Sequence, residues 1–524
     1  MGRFDKKGAK GKPISKKKKE PETFDECMEE AIHFEEQGER YQSGERSQRN
    51  YERAAEMYGK AFEYNSTDAD CIYNWGRVLF LLVNFLPSHA SPEEKLEKVD
   101  QSIEKFRTAL ELEKNKTDAQ FNLAQALHQR SEILQETTEI DHAYADSARS
   151  LQEAIDLFDN VYILQEKEFL EQSAPDENDE LPTEENHVHD SNCHHEDDNI
   201  KKEIKSEDAS KTEEEFTTVT KMESTTAYSL IETLLSTSET MTTMASMLAS
   251  FPASMDLFSR AKAKLGLAEK WLSKMPSESS PDDTVDAEKE KKDARIQINL
   301  KEASTHAAMA DRTFIATNNV DSSLFGKAID KLDEIVDKYD PRHVEAMCDR
   351  GDILTSYAQA IMELANKKNL PLIPEGNGKE VWQLLASATK SFQAALAIEP
   401  KNLSILNKMG DLSLIRASLD LPIAERNKLQ LLKNAQFYFK HSVEVDKEVL
   451  TSGYIGWAMS EWALEEWAEV SGKKQDALKI IRVWIKRGGN GSLFRSLAED
   501  NESWDEDFVE FIIETFFSDD EESE

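Results

Sequence analysis

Cysteine is scarce in this sequence: Cys27, Cys71, Cys193 and Cys348 are the only four in 524 residues. Their wide spacing provides neither a disulfide framework nor a paired Cys-x-x-Cys metal motif, and it favours a reducing compartment. Proline (14) and glycine (19) are also sparse. Because these two residues interrupt regular structure, their scarcity beside abundant Ala, Leu, Glu and Lys favours helices over strands.

Long apolar runs and a balanced charge are missing as well. No stretch of about 18 uncharged apolar residues occurs, so we expect no transmembrane helix. The basic N-terminus is not followed by an apolar core, so we expect no secretory signal. The 64 Lys and Arg residues face 102 Asp and Glu residues, which gives a formal net charge of −38. That charge repels phosphates, so direct nucleic-acid binding by the folded body is not expected.

Motifs for catalysis and cofactors are absent too. The sequence contains no phosphate-binding GxxxxGK[ST], no HExxH and no GxSxG, and we expect neither an enzyme nor a cofactor. One group of metal-ligand residue types falls in an acidic, Pro-containing stretch: His187, His189, Cys193, His194 and His195. Because no apolar sequence flanks these residues to fix a tetrahedral site, we interpret them as part of a polar tract and predict no metal.

Composition divides the chain into seven segments. Tails and linkers are recognised by runs of one charge with few apolar residues, since such segments bury too little surface to fold. The predicted organisation is a disordered basic tail (1–22), N-terminal helical repeats (23–172), a disordered acidic linker (173–215), a helical segment (216–275), a polar linker (276–290), C-terminal helical repeats (291–487) and an acidic C-terminal helix and tail (488–524).

A repeated pattern of small and large residues carries the fold prediction. A first helix has a small residue between two large apolar ones, and a second helix has two small residues around an aromatic or Leu. Two antiparallel helices approach closely only where a side chain is small, and bulky residues one turn away fill the remaining space. The small residues of the first helices are Gly38, Gly76, Ala124, Gly351, Gly410 and Ala458.

On these residues the sequence resembles the tetratricopeptide repeat (TPR) family, most clearly in YNWGRVLF, SFQAALAIEP and RNYERAAEMYGKAFEYN. The resemblance implies an all-α solenoid of stacked helical hairpins, interrupted here by the acidic linker. Gly38, Gly76 and Ala124 are 38 and 48 residues apart, whereas the family period is about 34. We therefore expect extended hairpins, with an irregular helical bundle as the alternative.

The resemblance also implies a concave groove lined by the first helices. Its predicted residues are mostly acidic or aromatic: Glu35, Glu39, Asp70, Tyr73, Phe80, Asp118, Phe121, Glu345, Asp352, Asp411 and Trp462. Such a groove suits a basic, extended peptide with a few apolar anchors. TPR co-chaperones that grip a C-terminal carboxylate have Lys, Asn and Arg in slots that here hold Glu35, Glu39 and Asp118, so that role is disfavoured.

A nonenzymatic scaffold that escorts a basic client, of ribosomal-protein or histone type, is the leading functional interpretation. It rests on the acidic groove and on a looser similarity to acidic TPR escort and assembly chaperones. The alternatives are a regulatory or adaptor scaffold for a neutral helix or peptide motif, and a subunit associated with an enzyme.

The basic tail raises the question of localisation. Lys16, Lys17, Lys18 and Lys19 form a run that is typical of nuclear import signals. A solubilising arm, or one that touches RNA or a ribosome, remains the alternative. On this reading the protein is expected in the nucleus and cytoplasm.

Overall fold

The computed structural model describes residues 21–41, 44–86, 90–136, 142–172, 225–275, 284–445, 452–499 and 504–517. The predicted disordered linker (173–215), the four lysines at 16–19 and most of the predicted basic tail lie outside these ranges. The group of His187, His189, Cys193, His194 and His195 does so too.

Eighteen helices occupy the described residues, and they alternate as first and second members of helical hairpins. The first helices are α1 (Phe24–Tyr41), α3 (Ala69–Val83), α5 (Thr117–Gln135), α7 (Ala227–Met247), α9 (Thr284–Thr317), α11 (Val344–Lys367), α13 (Leu403–Ser418), α15 (Ser452–Glu466) and α17 (Gly491–Glu499). The second helices are α2 (Gly44–Tyr64), α4 (Pro92–Leu112), α6 (Ala143–Gln172), α8 (Phe251–Lys274), α10 (Ser322–Glu334), α12 (Asn377–Ile398), α14 (Pro422–Val445), α16 (Lys473–Lys486) and α18 (Glu506–Phe516). A π-helical turn, Ile335–Tyr339, continues α10.

Each first helix packs against the second helix that follows it, and each second helix up to α14 also packs against the next first helix. Stacked hairpins of this kind bury a continuous apolar layer that no hairpin could bury alone. No strand occurs in the described ranges. The predicted all-α, TPR-like stack of hairpins is therefore confirmed.

Polar side chains mark where several helices begin. Ser91 and Glu94 form a capping box ahead of α4, with Pro92 in the first turn. Asp321 and Asn402 accept hydrogen bonds from free backbone N–H groups at the starts of α10 and α13. These caps satisfy N–H groups that have no partner inside the helix, and so they fix the hairpin turns.

Glycines let aromatic rings of the second helices lie directly on the backbone of the first helices. A Cβ atom added to Gly76 would lie 2.9 Å from Phe106, and one added to Gly351 would lie 2.5 Å from Phe392. Gly410 is covered in the same way by Phe439. Gly38 meets Tyr51, and Ala124 and Ala458 are fully buried.

Two parts of the structure differ from the predicted segments. Helices α7 and α8, expected only as a separate helical segment, form a hairpin within the stack, where Leu230 and Trp271 share a core with Tyr162 of α6 and Ile298 of α9. Helix α9 begins at Thr284, inside the range predicted as a polar linker, and it packs against α10 as the first helix of that hairpin. The charged start of α9 reads as linker because its apolar face appears only from about Ala294 onward.

Candidate functional site

The first helices together form a surface that we call the first-helix face. It consists of the side chains of these helices that point away from the second helices. Polar contacts between successive first helices run along this face from α1 to α15. They determine which charges remain available to a partner.

At the N-terminal end, the acidic residues predicted for the groove interact with other side chains of the protein. Arg77 of α3 forms an ion pair with Glu35 of α1 and lies 4.0 Å from Glu39. The Tyr58 hydroxyl donates a hydrogen bond of 2.7 Å to Glu35. Burial raises the pKa of the Glu35 carboxyl, against the opposing effect of Arg77. Glu35 is 4% exposed, so it supports the fold rather than facing a ligand.

The next contacts involve Asp70 and the aromatic residues predicted as anchors. Asp70 pairs with Lys116, which precedes α5. Tyr73 accepts a hydrogen bond of 2.9 Å from Asn122 through its hydroxyl. Burial raises the pKa of Tyr73 to about 12, and the charge of Asp118, in the first turn of α5, adds to the increase.

The aromatic residues themselves are partly buried and pack against the core. The ring of Phe121 lies 5.4 Å from that of Phe158, edge to face. Tyr73, Phe80 and Phe121 all pack against the apolar cluster between α3 and α6. They were predicted as anchors because their register matches outward TPR positions, but second helices give two of them ring partners: Phe158 of α6 for Phe121, and Phe106 of α4 for Tyr73.

In the middle of the face the contacts are largely neutral. Gln125 donates a 3.0 Å hydrogen bond to Ser236 of α7. The ring of His128 lies 3.2 Å from the Thr240 hydroxyl and 3.3 Å from that of Thr243. Burial lowers the pKa of His128, so this imidazole is neutral at neutral pH and links α5 to α7.

Ion pairs return between α7 and α13. Lys301 of α9 donates to Glu239 of α7 at 2.6 Å, and Ser356 of α11 donates to Asp311 of α9 at 2.8 Å. Lys408 of α13 pairs with Asp352 of α11 at 2.6 Å. Asp352 is thus partly neutralised by a lysine that the sequence pattern did not single out.

Three acids lie along one side of α11, and we call them the α11 acid cluster: Glu345, Asp349 and Asp352. Asp349 is half-buried, and no described side chain forms an ion pair or hydrogen bond with its carboxylate. Burial, followed by the charges of Glu345 and Asp352, raises the pKa of Asp349 to about 6, although Lys408 and Lys301 oppose the change. Asp349 therefore has no cationic partner of its own, although the neighbouring first helices α9 and α13 both carry a lysine.

The C-terminal end of the face is closed. Trp462 is only 3% exposed, and its ring lies 5.9 Å from that of Phe508. Because α18 covers it, Trp462 is a core residue and the prediction that it lines the groove is wrong. Asp411 lies half-buried on α13.

Sequence reasoning missed Lys116, Lys301 and Lys408. Lys116 and Lys408 are not among the groove residues that the TPR resemblance implied, and Lys301 lies on a helix that was not recognised in full. A lysine within one helical turn of a predicted acidic groove position was the sequence signal that could have indicated these ion pairs. The predicted acidic lining is therefore a mixed surface, with Asp349 and Glu345 as its acids without an ion pair near α11.

Within the described ranges, no group of three or more His, Cys, Asp and Glu side chains is placed to hold a metal ion. Nor is any helix there long and apolar enough to cross a bilayer.

Comparisons with known proteins find partial matches to this chain. Residues 46–214 match the family model for the plant-specific mitochondrial import receptor subunit TOM20. The UPF0656 protein C926.02 of Schizosaccharomyces pombe is 27% identical over 104 residues, which is 19% of this chain and 22% of that protein. The chain thus matches only about a fifth of the length of this curated relative.

Solved structures with low identity also align with much of the chain. A monomeric IFIT1 mutant bound to m7Gppp-AAAA has a TM-score of 0.35 at 10% identity, over 88% of this chain and 73% of the other. The S. pombe nuclear import adaptor Nro1 has a TM-score of 0.29 at 11% identity, over 83% of this chain and 99% of the other. From its own helix pairing, the chain is an all-α helical scaffold built from consecutive TPR-like hairpins.

Proposed function

We propose that this protein is a nonenzymatic scaffold that binds a Lys/Arg-rich segment of a client on its first-helix face. The α11 acid cluster is the centre of this site. A basic protein of ribosomal or histone type, escorted or assembled with the help of the scaffold, is the client class that fits best. The match of residues 46–214 to an import receptor family is compatible with a role in binding proteins.

The unpaired carboxylate of Asp349 is the single observation that carries the proposal. A half-buried carboxylate without a cation is costly, because partial burial and like charges both disfavour ionisation. A Lys or Arg side chain from a partner would remove that cost by pairing with Asp349 and Glu345. The ionised Asp349 carboxylate therefore destabilises the empty site, and a Lys or Arg side chain of a basic client would stabilise it.

Electrostatic support also comes from the rest of the first-helix face. Helix α1 carries seven acids and one Arg, and most of its acids are exposed. Charges of this kind increase the rate at which a basic partner associates, and they are screened over about 8 to 10 Å in physiological salt.

Fluorescence anisotropy with a labelled Lys/Arg-rich peptide and the full chain tests the proposal. The double variant Glu345→Gln with Asp349→Asn is expected to weaken binding about tenfold, since one partly buried and one exposed charge pair are lost. A matched control changes two exposed acids of second helices, Glu63→Gln with Glu111→Gln, and removes the same charge. Equal loss in both variants, or no binding by the parent chain, would contradict the proposal.

A neutral peptide motif is the second candidate, and the middle of the face favours it. The amides Asn122 and Gln125 make neutral hydrogen bonds there with Tyr73 and Ser236. A partner with its own amide or hydroxyl groups could replace these contacts. Binding that is insensitive to salt and lost in Asn122→Ala and Gln125→Ala, but retained in the α11 double variant, would support this candidate.

For localisation we propose nuclear import directed by Lys16 to Lys19, with a pool in the cytoplasm. The support is the sequence pattern alone. Microscopy of a fluorescent fusion, with these four lysines intact or changed to Ala, tests it. Unchanged nuclear signal in the variant would contradict an import role.

A further inference from the structure

The outer surface of α14 carries cations and apolar side chains in a regular order. Arg426, Leu429, Lys433, Phe437 and Lys440 follow one another at spacings of three or four residues, which places them on one face of the helix. All five are exposed, with 43% of Leu429 and 63% of Phe437 accessible to solvent. We call these residues the α14 stripe.

The charge of the stripe is opposite to that of the whole chain. Helix α14 has four Lys and Arg against two acids, in a protein of net charge −38. Among the described residues, no carboxylate lies within ion-pair distance of Arg426, Lys433 or Lys440. Arg426 instead donates to a backbone carbonyl, and Lys440 lies 5.9 Å over the ring of Trp457.

The next second helix, α16, has a similar outer face. It holds five Lys and Arg against one acid. Lys479, Arg482 and Lys486 are exposed there around Val483, which is 45% accessible. Lys479 pairs with Asp476 of the same helix at 2.9 Å, and Arg482 lies 5.8 Å over the ring of Phe516. Both helices pack against α15, and the exposed face of each combines cations with an apolar side chain.

Phe437 is held in place before any partner binds. Its ring is stacked on His441 with centroids 6.1 Å apart and meets Tyr438 edge to face at 5.3 Å. An exposed aromatic side chain that is already ordered loses little entropy on binding, and such residues often dominate interface energies. Charged side chains alone are enough to keep a surface soluble. The exposed ring of Phe437 has no part in that role and fits a binding surface better.

We propose that the α14 stripe, with the outer face of α16, binds an acidic amphipathic helix of a partner protein. Leu429 and Phe437 are about 12 Å apart along α14, since a helix rises 1.5 Å per residue. A partner helix with apolar residues on one face would cover them, and flanking Asp and Glu would meet the unpaired cations of α14. Charge complementarity and the apolar anchors select this occupant over a nucleic acid, because the protein's overall charge repels a long polyanion.

The proposed surface is independent of the α11 acid cluster, which belongs to the first-helix face and takes the opposite charge. A protein with both surfaces would join a basic client to an acidic partner.

The test uses the full chain and a labelled synthetic peptide that forms an amphipathic helix with Leu and Phe on one face and Glu on its flanks. The parent chain is expected to bind it, and Phe437→Ala or Lys433→Glu to weaken binding about tenfold, as truncation of an anchor residue does. Lys379→Glu, an exposed change of equal charge on α12, is expected to bind like the parent. Both stripe residues are exposed, and unchanged circular dichroism and Tm will show that the variants fold.

Three results would overturn the inference. One is equal binding of a peptide of the same composition whose apolar residues do not share a face. Another is tighter binding of a single-stranded RNA oligonucleotide through the same two residues. The third is cross-linking of the stripe to residues 518–524 of the same chain. Phe437→Ala must also leave the affinity for the Lys/Arg-rich peptide unchanged, so failure here is distinguishable from failure of the proposed function.

Discussion

Replacing Asp349 by Asn is expected to make the protein more stable and less able to bind its client. The pKa of Asp349 moves from its ordinary value of 3.8 to about 6 on folding. Each pKa unit corresponds to about 1.4 kcal/mol, so the charged carboxylate costs the folded state up to about 3 kcal/mol above pH 6. Water screens part of this in a half-buried group, so we expect a gain of about 1–2 kcal/mol in Asp349→Asn.

The pH dependence gives this prediction its sign. The folded chain binds the Asp349 proton more tightly than the unfolded chain does, so this carboxyl disfavours folding as the pH rises from 3.8 through 6. Near pH 4 the carboxyl is largely protonated in the folded chain, and Asn resembles this uncharged form. The advantage of the variant should therefore be full above pH 6 and small near pH 4.

Urea unfolding followed by circular dichroism at the two pH values measures the difference, with Glu111→Gln as the control for loss of one negative charge. A variant that is no more stable than the parent above pH 6, or equally favoured at both pH values, would refute the reasoning. The same variant should bind the Lys/Arg-rich peptide more weakly at neutral pH.

Two further changes test the packing and the ion pairs. Gly351→Ala should lower stability by about 1–3 kcal/mol in thermal or urea unfolding, because its Cβ would lie 2.5 Å from Phe392. At Gly266 an added Cβ meets nothing within 4 Å, so Gly266→Ala should instead raise stability by up to about 1 kcal/mol. If both variants shift alike, the close helix contact is not what requires glycine. Arg77→Ala should cost about 3 kcal/mol by leaving the buried Glu35 carboxylate without its cation, and Glu35→Gln in the same chain should restore part of the loss. Additive effects of these two changes would contradict the coupling.

Small residues made much of the fold predictable. Gly76, Gly351 and Gly410 mark close helix approaches because no other residue admits the ring that lies over each of them. The same pattern failed at α7, where buried Thr and Ser residues such as Thr233 and Thr237 replace the alternation of small and large side chains. It also failed at α9, whose first turns are charged.

The site was harder to predict because it depends on how hairpins are stacked. The acidic lining followed from the register of single helices. The ion pair of Asp352 with Lys408, by contrast, joins two hairpins, and its two residues are 56 positions apart in the sequence. No local pattern gives that contact. Trp462 shows the same limit, since its burial depends on α18 folding back over α15.

Hydrogen–deuterium exchange of the full chain, with and without the Lys/Arg-rich peptide, tests most directly whether the first-helix face is the binding surface. The account predicts slower exchange in α11 and in the neighbouring first helices α9 and α13, and unchanged exchange in α4 and α14. Protection confined to second helices, or none at saturating peptide, would contradict it.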